Sequence, residues 1–351
     1  MKRNFGDTLK SLGGPVLVTG HTGFKGTWLT LLLEKLDIEV IGYSLPPEKD
    51  SLFSLLNRDG EINEKYEDIS NLHEVSKFIR ENKPVAIFHL AAQPLVLASY
   101  EEPVETFRTN VMGTVSILQG AFAENSVRAV AGITTDKVYR NLNSGEKFIE
   151  TDPLEGKDPY SASKVGSEAA ISAWQQIQKI HGGPRVVAVR AGNVIGGGDL
   201  ARDRLIPDLI RSYKNNSDVS IRNPESTRPW QHVLDPLMGY VMAIEKSILG
   251  DQRENYNFGP TEKSLRVRDV VDIFKENLGT NTEVKFVESE QKSESKTLDL
   301  DSTRARKDLE WAPKFDQVKA IKMTFDWWRG VIDQDISPAE MTNADLAQFL
   351  E

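Results

Sequence analysis

The sequence predicts an α/β protein built on a doubly wound parallel sheet with a smaller, discontinuous C-terminal lobe, and three observations predict it. Short apolar runs alternate with amphipathic helical stretches through the first half of the chain, the pattern of a parallel sheet covered on both faces. A glycine-spaced turn joins the first run to the first helix. After Val194 the alternation weakens into mixed glycine, charge and short helix, which marks a lobe outside the sheet.

The first strand, "PVLVTG", runs into "HTGFKG", so Gly20, Gly23 and Gly26 stand between a strand and a helix. Glycines there permit a tight turn and let backbone approach a pyrophosphate at the positive end of the helix. His21, Phe24 and Lys25 in the same loop join the cofactor-binding candidates. The spacing is Gly-x-x-Gly-x-x-Gly rather than the Gly-x-Gly-x-x-Gly of the common dinucleotide fingerprint. The following "WLTLLLEKL" is too short to span a bilayer and reads as a buried helix.

A second strand, "EVIGYSL", ends at Ser44, where an acidic residue usually accepts the adenosine ribose hydroxyls. Glu48 and Asp50 follow a few residues later, and no arginine stands there for a 2′-phosphate, which favours NAD over NADP. A further strand before "YEDIS" brings Asp68 and Ile69 to the adenine edge. A helix begins near Leu72, and the strand "VAIFHLA" then delivers Leu90, Ala91 and Ala92 to the cofactor set. Another helix starts near Pro103, "AVAGITT" forms the next strand, and a helix from Pro159 precedes the strand "RVVAVRAG".

In the second half, "LIPDLIRSYKNN" reads as a short helix and "NYNFGP" as a strand returning to the first domain. The polar stretch "VESEQKSESKTLD" reads as a solvated loop, and "QVKAIKMTFDWWRGVI" as a final helix anchored by Trp327 and Trp328 and followed by an acidic tail. Residues 1–192 with about 230–260 make the dinucleotide-binding domain. About 193–229 with 261–351 make the substrate-binding domain, and the cleft between holds ligand.

A formal charge of −9 excludes a general nucleic-acid binder, whose phosphate contacts need basic stripes. With no cysteine there is no disulfide, thiolate metal site or cysteine nucleophile, a composition suited to the cytoplasm. The five histidines show no paired metal spacing, and the N-terminal residues carry no apolar signal-peptide core. His232 reads as structural.

Two segments carry chemistry. "GITTDKVY" places Thr135, Asp136 and Lys137 where a strand ends, and "YSASK" places Tyr160 and Lys164 on one face of a helix. A tyrosine of pKa about 10 is a poor base at neutral pH. A nearby ammonium and a cofactor charge favour its phenolate and fit it to take a hydroxyl proton.

With "TGHTGFKG", "HLAAQP", "TNVMGT", "TTDKVY", "PYSASK", "RAGNVIGGGD" and "LEWAPKF" in this order, the chain resembles the extended short-chain dehydrogenase/reductase family over nearly its whole length. The resemblance implies a Rossmann-type fold, NAD as cofactor, Tyr160 as base on a sugar hydroxyl and Lys164 as its ribose-binding partner. It also implies that Thr135 holds the reacting oxygen and that Asn110 supports the site. "TTDKVY" is similar to the sugar-nucleotide 4,6-dehydratases, and Thr-Asp-Lys followed by "STRPWQHVLDPLMGY" resembles those acting on CDP-glucose.

That chemistry oxidises C4, removes water across C5–C6 and returns hydride to C6, with Asp136 as acid toward the C6 hydroxyl. Lys137 is either the C5 base or a cation stabilising the enolate. Gln93, Asn193, Arg204 and Arg228 are the substrate-binding candidates, Arg228 as a bidentate phosphate ligand. The resemblance implies a homodimer or homotetramer joined through the helices after Pro103 and Pro159, and a product that feeds deoxysugar synthesis for surface polysaccharide. Other readings are a dehydratase for dTDP- or GDP-sugars or of the inverting UDP-N-acetylglucosamine type, a nucleotide-sugar 4-epimerase, and a nucleotide-binding regulator without turnover.

Overall fold

A computed structural model describes residues 5–250, 253–280, 282–287 and 297–351. Seven parallel strands form the central sheet: β1 (Val16–Thr19), β2 (Val40–Ser44), β3 (Asn63–Tyr66), β4 (Ala86–His89), β5 (Ala129–Ile133), β6 (Arg185–Ala191) and β7 (Asn255–Phe258). Their order is β7-β6-β5-β4-β1-β2-β3. The winding direction reverses between β1 and β4, so a crevice opens beyond the C-terminal ends of those two strands. Interior strands such as β1, β4 and β5 are buried along their whole length, which is why they read as unbroken apolar runs. β3 sits at the sheet edge with Glu64 and Lys65 in it, and such charge protects an edge from further pairing.

Helices cover both faces. They include α1 (Phe24–Lys35), α2 (Leu72–Asn82), α3 (Gly113–Phe122) and α4 (Pro159–His181). α1 buries Trp28, Leu29, Leu32 and Leu33, as its apolar run requires. The helix from Pro103 is interrupted by a π-helical turn over Arg108–Met112 before α3. Such a turn adds a residue to the helical repeat and is often found where a side chain must be aimed at a site. Here it carries Asn110. α4 starts on Asp158, whose carboxylate accepts from the Ser161 backbone N–H at 2.8 Å, with Pro159 in the first helical position.

The second half supplies α5 (Leu205–Asn215), α6 (Leu234–Ile248), α7 (Val267–Leu278), α8 (Gln317–Asp333) and α9 (Pro338–Leu350). α6 is buried nearly throughout, packs on β5 and β6, and leads the chain back to β7, the strand predicted at "NYNFGP". Trp327 and Trp328 are buried and fix α8, and Gly197 lies so close to Trp327 that a Cβ there would meet the indole at 2.2 Å.

One sequence reading changes. The acidic tail is a helix, α9, begun by a reciprocal bond pair between Ser337 and Glu340 and packed on α8. Of the polar stretch 287–299 read as a solvated loop, residues 288–296 lie outside the described residues.

Candidate active site

The glycine loop is shaped by contacts that leave no room for side chains. A Cβ on Gly26 would sit 2.0 Å from the Gly20 carbonyl oxygen and 2.7 Å from His21 Cα, so the loop folds directly onto the start of α1. Gly20 has φ +70° and lies against the end of β4, where a Cβ would come within 2.8 Å of the Ala91 nitrogen. The Leu90 and Ala91 amides donate to the Thr19 carbonyl and hydroxyl, both at 3.2 Å, and lock the two strand ends together. The unpaired N–H groups at the start of α1 therefore face the switch-point crevice, a cradle that fits a dinucleotide pyrophosphate.

Around this cradle the other candidates take defined places. Ser44, at the end of β2, lies 2.7 Å from the Thr22 hydroxyl. Asp68 accepts from the Ser70 backbone and hydroxyl at 2.7 Å and pairs with Arg108 at 2.7 Å. Partial burial works against its charge, but those bonds hold its carboxyl below the usual range. The side chain of Ile69 is core, packed under Gly113.

His21 is a correction: its ring lies fully buried beneath Gly42 with Nε2 2.6 Å from the Glu64 carboxylate, so its imidazole belongs to the β2–β3 packing rather than to the crevice. Burial lowers its pKa even though Glu64 pulls the other way. Gln93 is also repositioned. Its carboxamide accepts from the Leu95 N–H at 2.5 Å and donates to Leu95 O and the Thr106 hydroxyl, so it braces its own loop.

Asn110 does what its π-turn setting promises. Its carboxamide accepts from the Gln93 N–H at 2.8 Å and donates to the Gln93 carbonyl and, at 2.8 Å, to the Ser163 hydroxyl on α4. The loop after β4, which carries Ala91 and Ala92, is thereby tied to the helix that carries Tyr160 and Lys164. Lys164 is buried and donates to the Ile133 carbonyl at 2.8 Å. Burial pushes its pKa down to about 8, against the pull of Glu168.

The buried Tyr160 phenol lies near Thr135, close enough for that hydroxyl to favour the phenolate. Burial pushes that phenol up to about 12, while the Thr135 hydroxyl and the Arg204 charge work the other way. Thr135 also caps the single 3-10 turn Asp136–Val138, accepting from the Lys137 N–H at 3.3 Å and donating to Asp136 Oδ1 at 2.9 Å. Asp136 is 1% exposed, and its Oδ2 finds no hydrogen-bond partner among the described residues. The Lys137 side chain is 38% exposed, with its amine 3.8 Å from Asp136 Oδ1. One turn thus delivers a carboxyl into the wall and an amine toward the open side.

Lys25 reaches from α1 to within 3.3 Å of the Tyr240 hydroxyl. Burial, with Lys164 and Arg204 adding to it, lowers its pKa to about 7. Arg204 pairs with Asp199 at 3.2 Å and is close enough to bias both Tyr160 and Lys25. Arg228 is buried and donates to the Thr227 carbonyl at 2.8 Å, and the Asn193 carbonyl accepts from the Gln231 N–H at 3.0 Å. His232 is a core residue between Trp28 and Phe315, as expected. Lys25, Lys164 and Arg204 thus lie within electrostatic reach of one another, with Lys137 on the turn that carries Asp136, in a chain whose formal charge is −9. Local positive charge in an acidic protein selects small anionic ligands.

Sequence reasoning missed Glu64, Tyr240 and the buried pair Glu168–Arg190. Glu168 was within reach, since it stands four residues after Lys164 on the same helix face. Glu64 and Tyr240 are joined to the site only by the fold.

A dinucleotide cradle at the switch point with a Tyr-x-x-x-Lys pair and an acid–amine turn beside it defines an enzyme of the sugar-nucleotide dehydratase and epimerase type. The model of the GDP-mannose 4,6 dehydratase family matches residues 17–324, and the chain belongs to that family, within the extended short-chain dehydrogenase/reductases. It is 40% identical over 329 residues to the CDP-glucose 4,6-dehydratase of Salmonella typhimurium, covering 91% of this chain and 92% of that protein. The crystal structure of the dTDP-glucose 4,6-dehydratase of Streptomyces venezuelae with NAD and TYD bound superimposes with a TM-score of 0.79 at 24% identity, covering 91% of this chain and 99% of that one. A UDP-glucose 4-epimerase from Thermus thermophilus in complex with NAD gives 0.79 at 24%, covering 91% and 100%.

Proposed function

We propose that this protein catalyses the NAD-dependent, redox-neutral 4,6-dehydration of CDP-glucose to CDP-4-keto-6-deoxyglucose. The observation that carries the reading is the capped turn in which Thr135, near the Tyr160 phenol, donates to the buried carboxyl of Asp136, with Lys137 alongside. An epimerase needs the tyrosine but has no use for the acid–amine pair. The 40% identity to a CDP-glucose 4,6-dehydratase supports the choice of sugar nucleotide.

The cofactor would rest on Gly20, Gly23 and Gly26 with the Phe24 and Lys25 backbone over α1. Ser44, Asp68 and the Ile69 backbone lie on the adenosine side, and Leu90, Ala91, Ala92 and Asn110 on the nicotinamide side. NAD supplies an acceptor that takes hydride from C4 and gives it back at C6. Tyr160 takes the C4 hydroxyl proton while Thr135 holds the oxygen and Lys164 holds the ribose. Asp136 protonates the departing C6 hydroxyl, and Lys137 serves C5. Asn193, Arg204 and Arg228, from about 193–229 of the substrate-binding lobe, take the nucleotide diphosphate. Gln93 enters as a brace of the loop after β4.

Incubation with CDP-glucose deuterated at C4 tests the reading. The expected product is a 4-keto-6-deoxy sugar nucleotide carrying the label at C6, read by NMR. A 4-epimer with the label still on C4 would replace it with the epimerase reading.

The active form is a homodimer or a dimer of dimers in the cytoplasm. Tyr100, Val104, Phe107 and Met112 stand exposed along the helices before α3, Val104 by 81%, and Ile180 is exposed on α4. Apolar side chains gathered in this way fit a self-complementary four-helix contact. Light scattering is expected to give at least a dimer, and Val104→Asp to shift it toward monomer. A monomeric parent protein would refute the contact. Among the described residues no helix is long and apolar enough to cross a membrane.

A further inference from the structure

The turn that carries Asp136 and Lys137 is poorly held by its own bonds. Val138 N–H to Thr135 O and Tyr139 N–H to Asp136 O are both 3.4 Å, and Lys137 N–H to the Thr135 hydroxyl is 3.3 Å. Such lengths lie beyond the usual 2.7–3.2 Å range of N–H···O bonds and give a turn little rigidity of its own. Its position is imposed from both ends.

On the entering side, the Thr134 hydroxyl donates to Glu168 Oε1 at 2.5 Å. On the leaving side, the Tyr139 hydroxyl donates to Asn257 Oδ1 and accepts from Arg190 Nη1, both at 2.7 Å. The two ends are joined because Arg190 and Glu168 form a two-pronged pair, Nε to Oε1 at 2.7 Å and Nη2 to Oε2 at 2.8 Å. Arg190 also donates to the Glu150 carbonyl at 3.2 Å, and Phe148 stacks on the Tyr139 ring at 5.0 Å. Thr134, Tyr139, Glu168, Arg190 and Asn257 are all buried.

A buried ion pair is a weak source of stability, since well-packed apolar residues serve as well or better. Its geometric effect here is specific: it fixes the separation of the residues on either side of the Asp136–Val138 turn. Tyr160 and Lys164 need no such brace, because they stand on the 23-residue α4, with its own N-cap and the bond from Lys164 to Ile133. We infer that Glu168, Arg190 and Tyr139 are positioning residues for the elimination half of the reaction, holding the Asp136–Lys137 turn in register with the helix that carries the oxidation pair. The inference rests on the dehydratase reading above.

Tyr139→Phe removes the hydroxyl and keeps the stacked ring, and Thr134→Val releases the opposite end. In single-turnover mixing with CDP-glucose and NAD, both variants are expected to reduce the cofactor within about twofold of the parent rate. Water loss is expected to fall by about tenfold or more, because small displacements of a reacting group carry penalties of this order. Reduced cofactor then accumulates, visible in its near-ultraviolet absorbance, where the parent enzyme shows little. Unchanged turnover in both variants, or equal loss of both half-reactions without accumulation, would overturn the inference. If the parent protein itself fails to move the C4 label to C6, the dehydratase reading fails instead, and the two failures are told apart.

Discussion

Tyr160→Phe is expected to abolish cofactor reduction while leaving nucleotide binding intact. The phenol is the base assigned to the hydroxyl proton in the proposed reaction, and the ring that remains keeps the packing. A positioned acid–base group contributes about 10²–10⁴-fold, so a loss near 10³-fold in the oxidation step, about 4 kcal/mol of barrier, is the expected size. Single-turnover absorbance measures it, with calorimetric titration of the sugar nucleotide as the control for binding. Oxidation at the parent rate would remove Tyr160 from the base role.

The pH dependence follows with a definite sign. Burial lifts the ligand-free phenol to about 12, and the active form is the phenolate, so oxidation must rise as pH rises. A neighbouring cation draws the proton off. Arg204 does so in the ligand-free protein, and Lys164, lowered by burial to about 8 and still largely charged at neutral pH, stands one helical turn from Tyr160 to add to it in the proposed reaction. Lys164→Met is therefore expected to displace the rising limb toward higher pH, beyond any effect on cofactor binding.

What was legible in the sequence was local. Gly20, Gly23 and Gly26 announce their loop because strand, turn and helix are contiguous, and Tyr160 and Lys164 declare one face because four residues make about one helical turn. Reading failed where a partner lies far along the chain. His21 sits in the glycine loop, yet its imidazole is claimed by Glu64 on an edge strand whose charge hides it from an apolar pattern. Lys25 meets Tyr240 across 215 residues. Gln93 looked available because nothing in sequence shows a carboxamide folding back on Leu95. The α9 helix differs: Ser337, Pro338 and Glu340 are a complete start signal, and the acidic composition after it masked the apolar face of Leu346 and Phe349.

Lys137→Met is expected to keep cofactor reduction and to lose exchange of the C5 hydrogen with solvent. Asp136 and Lys137 leave one turn for different depths: the carboxyl is buried, with Oδ2 3.2 Å from where a Gly192 Cβ would lie, and the lysine side chain is 38% exposed. The depth suits the carboxyl to hand over a proton in a site shielded from water, and the open amine to approach C5. Asp136→Asn is accordingly expected to continue C4 oxidation and C5 exchange while water loss slows by about 10²-fold or more. Deuterium exchange followed by mass spectrometry separates the two variants, and full turnover by Lys137→Met would remove the lysine from the chemistry. Lys137→Arg then decides between its two roles, because a guanidinium stays charged and has no lone pair to accept a proton. Exchange that survives in the arginine variant assigns Lys137 as the cation that stabilises the enolate. Exchange lost as fully as in Lys137→Met assigns it as the base at C5.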